Sequence, residues 1–328
     1  MNRRDLLVDA SVALGAVSMA GASDLECASA RASAGAASRG VSFIRAADGT
    51  ELFYRDWGTG TPIVFLAGWA LPSDFWSYQM AALSEAGFRC IAVDRRGHGR
   101  SSDPGRGFDY DTLSDDLAAV LEALNLSGVQ VVAHSMSAGE VVRYISRHQS
   151  SRISRIVFVG PALPFTTKTA DNPEGIDPPL LEATRRQILE KGFPVWLEEN
   201  ARPFVTADTA ADTITWIKNM MLACSMKAVI DCNRAIISTD FRAELRRIQI
   251  PTLIIHGDRD ASAPLALTSR RVMQLMPDAR LTVYEGAPHG LPITHAARLN
   301  EDLQTFFQSA HTGHRIAAVR FVDATPAA

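Results

Sequence analysis

Ser135 is a candidate nucleophile because of where it falls between two predicted elements. It comes just after an apolar strand predicted over 129–133 and immediately before a predicted helix. A sharp strand-to-helix turn would hold its hydroxyl out at the end of the strand, near the positive start of the helix. The residues two before and two after it, Ala133 and Ser137, are small, as such a turn requires, although glycine is usual at both positions. The alternative role for Ser135 is the N-cap of that helix.

Asp260 and His289 are candidates for the acid and the base that a serine nucleophile needs. A hydroxyl attacks at neutral pH only when a base takes its proton and a third group orients that base. Asp260 follows an apolar strand predicted over 251–256, and His289 lies in a short loop after another over 280–285. We choose Asp260 over Asp258 because Asp258 is placed to bond its own backbone, although both could be turn residues.

His289 is preferred as the base because of its location just after a strand. The chain order Ser, then Asp, then His is one of the orders in which such triads occur. Each of the other seven histidines is assigned to a strand, a turn, a helix or the tail: His98, His134, His148, His256, His295, His311 and His314. His134 points away from Ser135 if that segment is extended.

An oxyanion formed by attack of Ser135 would need two backbone N–H donors. We assign one to Met136, the residue after the nucleophile. The other is assigned to Trp69, in the loop after a strand predicted over 62–67, and its side chain could pack in a core at the same time. The sequence contains no Cys/His cluster with metal-ligand spacing, so we expect neither a metal nor a cofactor.

These residues lie at the ends of strands in a chain that alternates strand-like and helix-like segments. The strands are apolar without in/out alternation, which predicts a mostly parallel twisted sheet with helices on both faces. Residues 112–115 resemble a capping box and place a helix start there. The alternation stops after Pro161. We therefore predict four segments of the mature chain: a first part of the core over 39–162, a helical cap over 163–240, a second part of the core over 241–310 and a C-terminal tail over 311–328.

Five motifs follow one another along the chain: VDRRGHGRS at 93–101, SM and GEVVRY within 135–144, KTADNPEG at 168–175, HGDRD at 256–260 and GAPHGL at 286–291. Together they resemble the cofactor-free haloperoxidases, aryl esterases and perhydrolases of the α/β hydrolases, from about residue 41 to 309. The resemblance implies an α/β-hydrolase fold with a helical cap. It places the family's nucleophile, acid and base on Ser135, Asp260 and His289, and its oxyanion donors on Trp69 and Met136.

The chain departs from that family near the turn that carries Ser135. Ala67 stands where the family has His, Ala133 where it has Gly, and Ser137 and Ala138 where it has two glycines. The triad does not depend on these side chains, whereas the shape of the substrate site does.

The expected activity is hydrolysis of small esters or lactones through an acyl-serine. Perhydrolysis, in which hydrogen peroxide replaces water, is the alternative with the same triad. A dehalogenase or an epoxide hydrolase would need a carboxylate where Ser135 stands. A non-catalytic binding protein on the same scaffold is the fourth hypothesis, and a complete triad argues against it.

Composition excludes several classes of partner. The formal net charge of −3 gives no electrostatic case for nucleic acid or an anionic membrane surface. No apolar run approaches the roughly 20 residues needed to span a bilayer.

The first residues, with Arg3-Arg4 before an Ala/Val/Leu/Gly stretch and small residues near Ala30, predict an export signal and linker over 1–38. We therefore expect twin-arginine export and a periplasmic or extracellular enzyme.

Overall fold

The computed structural model describes residues 42–149 and 151–309. Eight strands are present in this part: β1 (Phe43–Arg45), β2 (Glu51–Trp57), β3 (Thr61–Leu66), β4 (Phe88–Val93), β5 (Val129–His134), β6 (Ile153–Val159), β7 (Thr252–Gly257) and β8 (Arg280–Tyr284). They form one sheet in the order β1-β2-β4-β3-β5-β6-β7-β8. β2 pairs antiparallel with β1 and β4, and the other neighbours pair in parallel.

Eleven α-helices connect or follow these strands in the described part: α1 (Ser77–Glu85), α2 (Tyr110–Ala123), α3 (Ser137–His148), α4 (Pro178–Lys191), α5 (Phe193–Asn200), α6 (Ala211–Leu222), α7 (Met226–Ser238), α8 (Arg242–Leu245), α9 (Ser269–Leu275), α10 (Leu291–Thr294) and α11 (Ala296–Gln308). Helix α1 packs on α11, whereas α2 packs on α3. Strands β5 and β7 are buried along their whole length because helices cover both faces of the sheet. The α/β fold class predicted from the sequence is confirmed.

The parallel strands end at the same level, which brings distant parts of the chain to one edge of the sheet. Leu66 at the end of β3 lies beside Ala133 of β5, and His134 lies beside Val159 at the end of β6. Val159 in turn lies beside Ile255 of β7. The loops after β3, β5, β6 and β7 therefore all begin at this carboxyl edge, where ligands of open α/β sheets bind.

The chain between β6 and β7 is helical, with α4 to α8 and the short 3₁₀ turn Arg202–Phe204. We call residues 160–251 the helical insertion. Two isolated bridges, one of them between Thr167 and Ile176, are its only β pairings, and the whole segment lies within the described residues.

One predicted helix start is wrong. Helix α2 begins at Tyr110, and Asp109 caps it by accepting a hydrogen bond from the Thr112 backbone N–H at 2.9 Å. Thr112 is thus the residue that is capped, because a carboxylate three residues earlier reaches its N–H.

Parts of the sequence-based account fall outside this structure. The predicted export signal over 1–38 and the tail over 311–328 lie outside the described residues. Among the residues that are described, none of the helices combines the length and the apolar character needed to cross a membrane.

Candidate active site

Ser135 occupies the turn between β5 and α3 in a strained conformation. Its φ is 57°, in the left-handed region that costs a non-glycine residue about 1–2 kcal/mol. Both of its backbone groups are held by the end of β6 and the chain just after it, since its N–H donates to the Val159 carbonyl and its carbonyl accepts from the Ala162 N–H. A Cβ on Gly68 would lie 2.6 Å from His134 Nδ1 and 3.1 Å from the Ser135 Cβ, so a larger residue at this position would push the loop after β3 away from the turn.

Ser137 replaces the glycine that the motif usually has, and its hydroxyl finds acceptors. Ser137 Oγ lies 2.8 Å from the Leu66 carbonyl oxygen and 2.9 Å from that of His134. The hydroxyl therefore ties the first turn of α3 to the end of β3. The departure at 137 is accommodated by a buried, hydrogen-bonded side chain.

Asp260 and His289 are brought together at the carboxyl edge. Asp260 Oδ2 lies 2.6 Å from His289 Nδ1, and Asp260 Oδ1 accepts hydrogen bonds from the backbone N–H groups of Ser262 and Ala263. Burial by itself would raise the pKa of Asp260. The charge of His289 and the hydrogen bonds from His256 and His289 outweigh it and hold that pKa well below its usual range. The carboxylate is therefore charged at neutral pH.

His256 is a residue whose contribution the sequence analysis missed. Its imidazole is completely buried, with Nε2 2.8 Å from the Ala263 carbonyl oxygen and 3.3 Å from Asp260 Oδ2. Nδ1 lies 2.6 Å from Ser269 Oγ. The Ser269 hydroxyl donates to Nδ1, and the Nε2–H then faces Ala263 and Asp260. A histidine inside an otherwise apolar strand was the signal, because a buried imidazole needs partners.

His134 also contacts His289. Its Nε2 lies 3.0 Å from the His289 carbonyl oxygen, and the two rings are 4.6 Å apart. Burial lowers the pKa of His134 well below its usual value, and the neighbouring His289 lowers it further. The neutral ring therefore donates its Nε2–H to the backbone of His289. Its ring also packs on Phe75, with centroids 4.8 Å apart.

Asp258 has a different partner from the one predicted. It was expected to bond its own backbone, but its exposed carboxylate accepts from the Gly286 N–H at 2.7 Å. The parallel pairing of β7 with β8 brings the two loops side by side, so the acceptor reaches across to the neighbouring loop. Asp258 thus fastens the loop that carries His289 and does not contact the imidazole.

The loop over 67–71 forms a tight turn. The Leu71 N–H closes it onto the Gly68 carbonyl, and Ala70 adopts a φ of 59°. Within the described part of the chain, the backbone N–H groups of Trp69 and Met136 have no protein acceptor. The Trp69 indole donates to the Val229 carbonyl at 2.8 Å, which fixes the loop against α7.

The helical insertion packs against both His289 and Trp69. The Phe204 ring lies 5.7 Å from the His289 ring, and the Phe204 carbonyl accepts from the Gly290 N–H at 2.8 Å. The Trp69 ring packs on Trp196 of α5, with ring centroids 5.6 Å apart. The insertion therefore contacts the carboxyl edge at His289 and at the loop that carries Trp69.

The three candidate side chains are thus placed at one nearly enclosed site. Ser135, Asp260 and His289 are 8%, 6% and 5% exposed. The Ser135 hydroxyl makes no hydrogen bond to His289 in the described structure. Among the described residues, no group of three or more His, Cys, Asp or Glu side chains is arranged to hold a metal ion.

Comparison with known proteins identifies the family. The profile described as the alpha/beta hydrolase fold matches residues 61–296. The chain belongs to the α/β-hydrolase family. It is 40% identical over 273 residues to a non-heme haloperoxidase of Rhodococcus erythropolis, covering 81% of this chain and 99% of the relative. The resemblance predicted from the motifs is confirmed.

Two further relatives of this α/β hydrolase carry esterase names. A bifunctional esterase/perhydrolase of Acinetobacter calcoaceticus is 34% identical over 278 residues, covering 82% of this chain and all (100%) of the relative. The solved structure of an esterase from Exiguobacterium antarcticum has a TM-score of 0.79 and 29% identity, covering 82% of this chain and 100% of that one. Hydrolase is therefore the enzyme class of this protein.

Proposed function

We propose that this α/β hydrolase cleaves small carboxylic esters or lactones through an acyl intermediate on Ser135. The observation that carries the proposal is the 2.6 Å contact between His289 Nδ1 and Asp260 Oδ2, at the sheet edge where Ser135 stands in its strained turn. The buried, charged carboxylate selects the tautomer that carries a proton on Nδ1. His289 Nε2 is then the free base.

The proposed reaction has two steps. His289 takes the proton of Ser135 as its oxygen attacks the carbonyl carbon, and the Trp69 and Met136 N–H groups receive the oxyanion. His289 returns the proton to the leaving alcohol, and an acyl-serine remains. Water then attacks the acyl-serine by the same route and releases the acid. The hydrogen bond between Ser135 and His289 has to form as substrate binds, as often happens at catalytic contacts.

The site favours a small acyl group. The candidate triad is almost entirely buried, Phe204 packs on His289, and Trp196 packs on Trp69 in the loop beside Ser135. A long acyl chain would have to displace these packed aromatic side chains. We expect activity to peak at short chains in a panel of p-nitrophenyl esters tested beside a panel of lactones.

Loss of the nucleophile tests this proposal. We expect Ser135→Ala to lose about 10⁶ in kcat while the protein stays folded. A fluorophosphonate probe should label wild type at Ser135 and leave the variant unlabelled. Ser154→Ala, a serine on β6 away from this edge, is the control and should keep full labelling. Labelling that persists in Ser135→Ala would move the nucleophile elsewhere.

Perhydrolysis by the same triad is a second candidate, supported by the similarity to the haloperoxidase and to the esterase/perhydrolase. Hydrogen peroxide would attack the acyl-serine in place of water and leave as the peracid, which oxidises halide. Halogenation should then require peroxide and a short carboxylic acid, and should vanish in Ser135→Ala. We expect hydrolysis of a preferred ester to exceed perhydrolysis by orders of magnitude in kcat/KM. Efficient peracid formation without hydrolysis of any ester or lactone would make perhydrolysis the main activity and contradict the esterase proposal.

We also propose that the enzyme is exported through the twin-arginine route. Arg3-Arg4 ahead of the apolar stretch supports this, and cleavage is expected near Ala30 to Ser33. Replacing the two arginines with lysines should retain the precursor in the cytoplasm. An intact Met1 on protein recovered from the periplasm or the medium would contradict cleavage.

A further inference from the structure

Arg95 is a buried arginine that the proposed reaction does not use, and it contacts the loop that carries Trp69. It lies just after β4 and is 8% exposed. Its Nη2 lies 2.6 Å from the Ala67 carbonyl oxygen, and Nη1 lies 3.1 Å from that of Gly68. Nε and Nη2 both contact Glu140, and Nη1 lies 3.4 Å from His98 Nε2. The five N–H groups of the guanidinium thus have five contacts.

The contact with Gly68 fixes the direction of the Trp69 N–H. The Gly68 carbonyl and the Trp69 N–H belong to one planar peptide, and in a trans peptide they point in opposite directions. Arg95 holds the carbonyl end, so the N–H end faces away from the guanidinium. A hydrogen bond from a cation to the carbonyl also polarises the peptide and strengthens the N–H as a donor.

Arg95 also links this loop to the second proposed donor. Its other partner, Glu140, lies in the first turn of α3, the helix that follows Met136. The Nε–Oε1 distance is 2.7 Å, and both side chains are buried. One guanidinium therefore spans the two backbone segments that carry the Trp69 and Met136 N–H groups.

The surroundings keep Arg95 charged and His98 neutral. Burial alone would lower the pKa of Arg95, but the charges of its neighbours, Glu140 first among them, and the hydrogen bond to Glu140 together outweigh burial and raise that pKa. Burial, and then the Arg95 charge, lower the pKa of His98 to about 3. Neutral His98 donates through Nδ1 to the Arg96 carbonyl, which leaves Nε2 as an acceptor for Arg95.

We propose that Arg95 is a positioning residue for the oxyanion hole, which aims the Trp69 N–H at the oxyanion and holds it in register with the Met136 N–H. The inference rests on the proposed serine-hydrolase function. It predicts that Arg95 supports the transition state and leaves binding of the ground state unchanged.

Arg95→Lys keeps the charge and loses the planar fork that holds two carbonyls. Misplacing one donor should lower kcat by about 10- to 100-fold with little change in KM. Arg96→Lys is the matched control, because Arg96 is adjacent and also buried but pairs with Asp116 and Asp48. It should keep a kcat close to that of wild type. The burst amplitude with p-nitrophenyl acetate gives the concentration of active enzyme, and each kcat is calculated from that concentration.

A pair of inhibitors separates positioning from general structural damage. A trifluoromethyl ketone adds to the serine and forms an oxyanion, whereas the matching methyl ketone binds without adding. In Arg95→Lys, the Ki of the trifluoromethyl ketone should rise by the same factor as kcat falls, and the Ki of the methyl ketone should not change. A loss in KM alone, an unchanged trifluoromethyl ketone Ki, or an equal loss in Arg96→Lys would overturn the inference.

A double variant covers the case in which Arg95→Lys does not fold. Arg95→Met with Glu140→Leu removes both buried charges together, and such replacements are often neutral or stabilising. It should fold and still show the selective loss with the trifluoromethyl ketone. Wild-type protein that neither hydrolyses esters nor binds the trifluoromethyl ketone would overturn the proposed function and this inference together. If wild type hydrolyses esters and the double variant matches it in kcat and in the Ki of the trifluoromethyl ketone, the inference about Arg95 is wrong and the proposed function stands.

Discussion

The carboxyl edge of the sheet and the helical insertion over 160–251 contribute to the same site in different ways. At the sheet edge, the backbone sets the geometry. The parallel strands end at the same level, and their ends determine where Ser135, Asp260 and His289 lie. The insertion contributes side-chain packing, with Phe204 on His289 and Trp196 on Trp69. We expect the first kind of contact to determine which reaction is available and the second to determine which substrates fit. Substitutions at the two places should therefore damage different kinetic constants.

Asp260→Asn should have the largest effect among the positions compared here. A neutral amide neither selects the tautomer nor stabilises the imidazolium, and kcat should fall by about 10⁴ as in another triad enzyme. Asp258→Asn is the matched control two residues away, because an amide oxygen can still accept from the Gly286 N–H. It should turn over nearly normally. If Asp258→Asn were the more damaging at equal thermal stability, the acid would be assigned to Asp258.

Comparison of wild type with Asp260→Asn also tests a pH dependence of stability. The pKa of Asp260 is lowered in the folded protein, so its contribution to stability is full above the ordinary aspartate pKa of about 4 and is lost as pH falls through the lowered value. Below about pH 4, the wild-type melting temperature should therefore fall more steeply than that of Asp260→Asn. Melting temperatures of the two proteins that fall equally steeply with pH across this range would contradict the lowered pKa of Asp260.

Phe204→Leu tests the contribution of the insertion. The substitution removes the ring over His289 and keeps the backbone carbonyl that binds Gly290. We expect kcat to hold while kcat/KM for short esters falls by about tenfold and longer acyl chains become better substrates. Phe43→Leu, on the exposed strand β1, is the control and should leave chain-length preference unchanged. A large loss of kcat without a change in acyl chain-length preference would show that Phe204 supports the reaction step, as the sheet-edge residues do, and does not select the substrate.

Ser137→Ala should have the smallest effect. It removes a hydroxyl that binds the carbonyls of Leu66 and His134, a loss of about 1 kcal/mol in the free energy of unfolding. Urea denaturation measures it, with kcat expected to stay near wild type. Ser154→Ala removes a comparable bond to the Gly128 carbonyl at a more exposed position and should cost less. Equal costs at both positions would show that burial of Ser137 adds nothing.

The sequence predicted the fold well because its strands are apolar runs separated by amphipathic helices. The predicted strand over 129–133 and the observed β5 (Val129–His134) differ by one residue. The error at Thr112 arose because a capping-box pattern and an Asp109 cap compete over the same residues. The division into core, cap and tail segments stays a prediction.

The missed contacts share a physical reason. His256 positions Asp260 through side-chain geometry, and Asp258 reaches Gly286 across two loops. Phe204 meets His289 only after the insertion folds back on the sheet. Such contacts depend on packing between segments far apart in sequence, which periodicity and local motifs do not encode. The catalytic roles assigned to Ser135 and its partners stay predictions until they are measured.

Trapping the acyl-enzyme tests the central claim most directly. Wild-type protein mixed with p-nitrophenyl acetate and quenched in acid during the burst should gain the mass of one acetyl group. Peptide mass spectrometry should place that group on Ser135, in an amount equal to the burst of p-nitrophenol. Ser135→Ala should show neither burst nor adduct. An acetyl group on another residue that forms and decays at the rate of turnover, or turnover that persists in Ser135→Ala, would contradict the account.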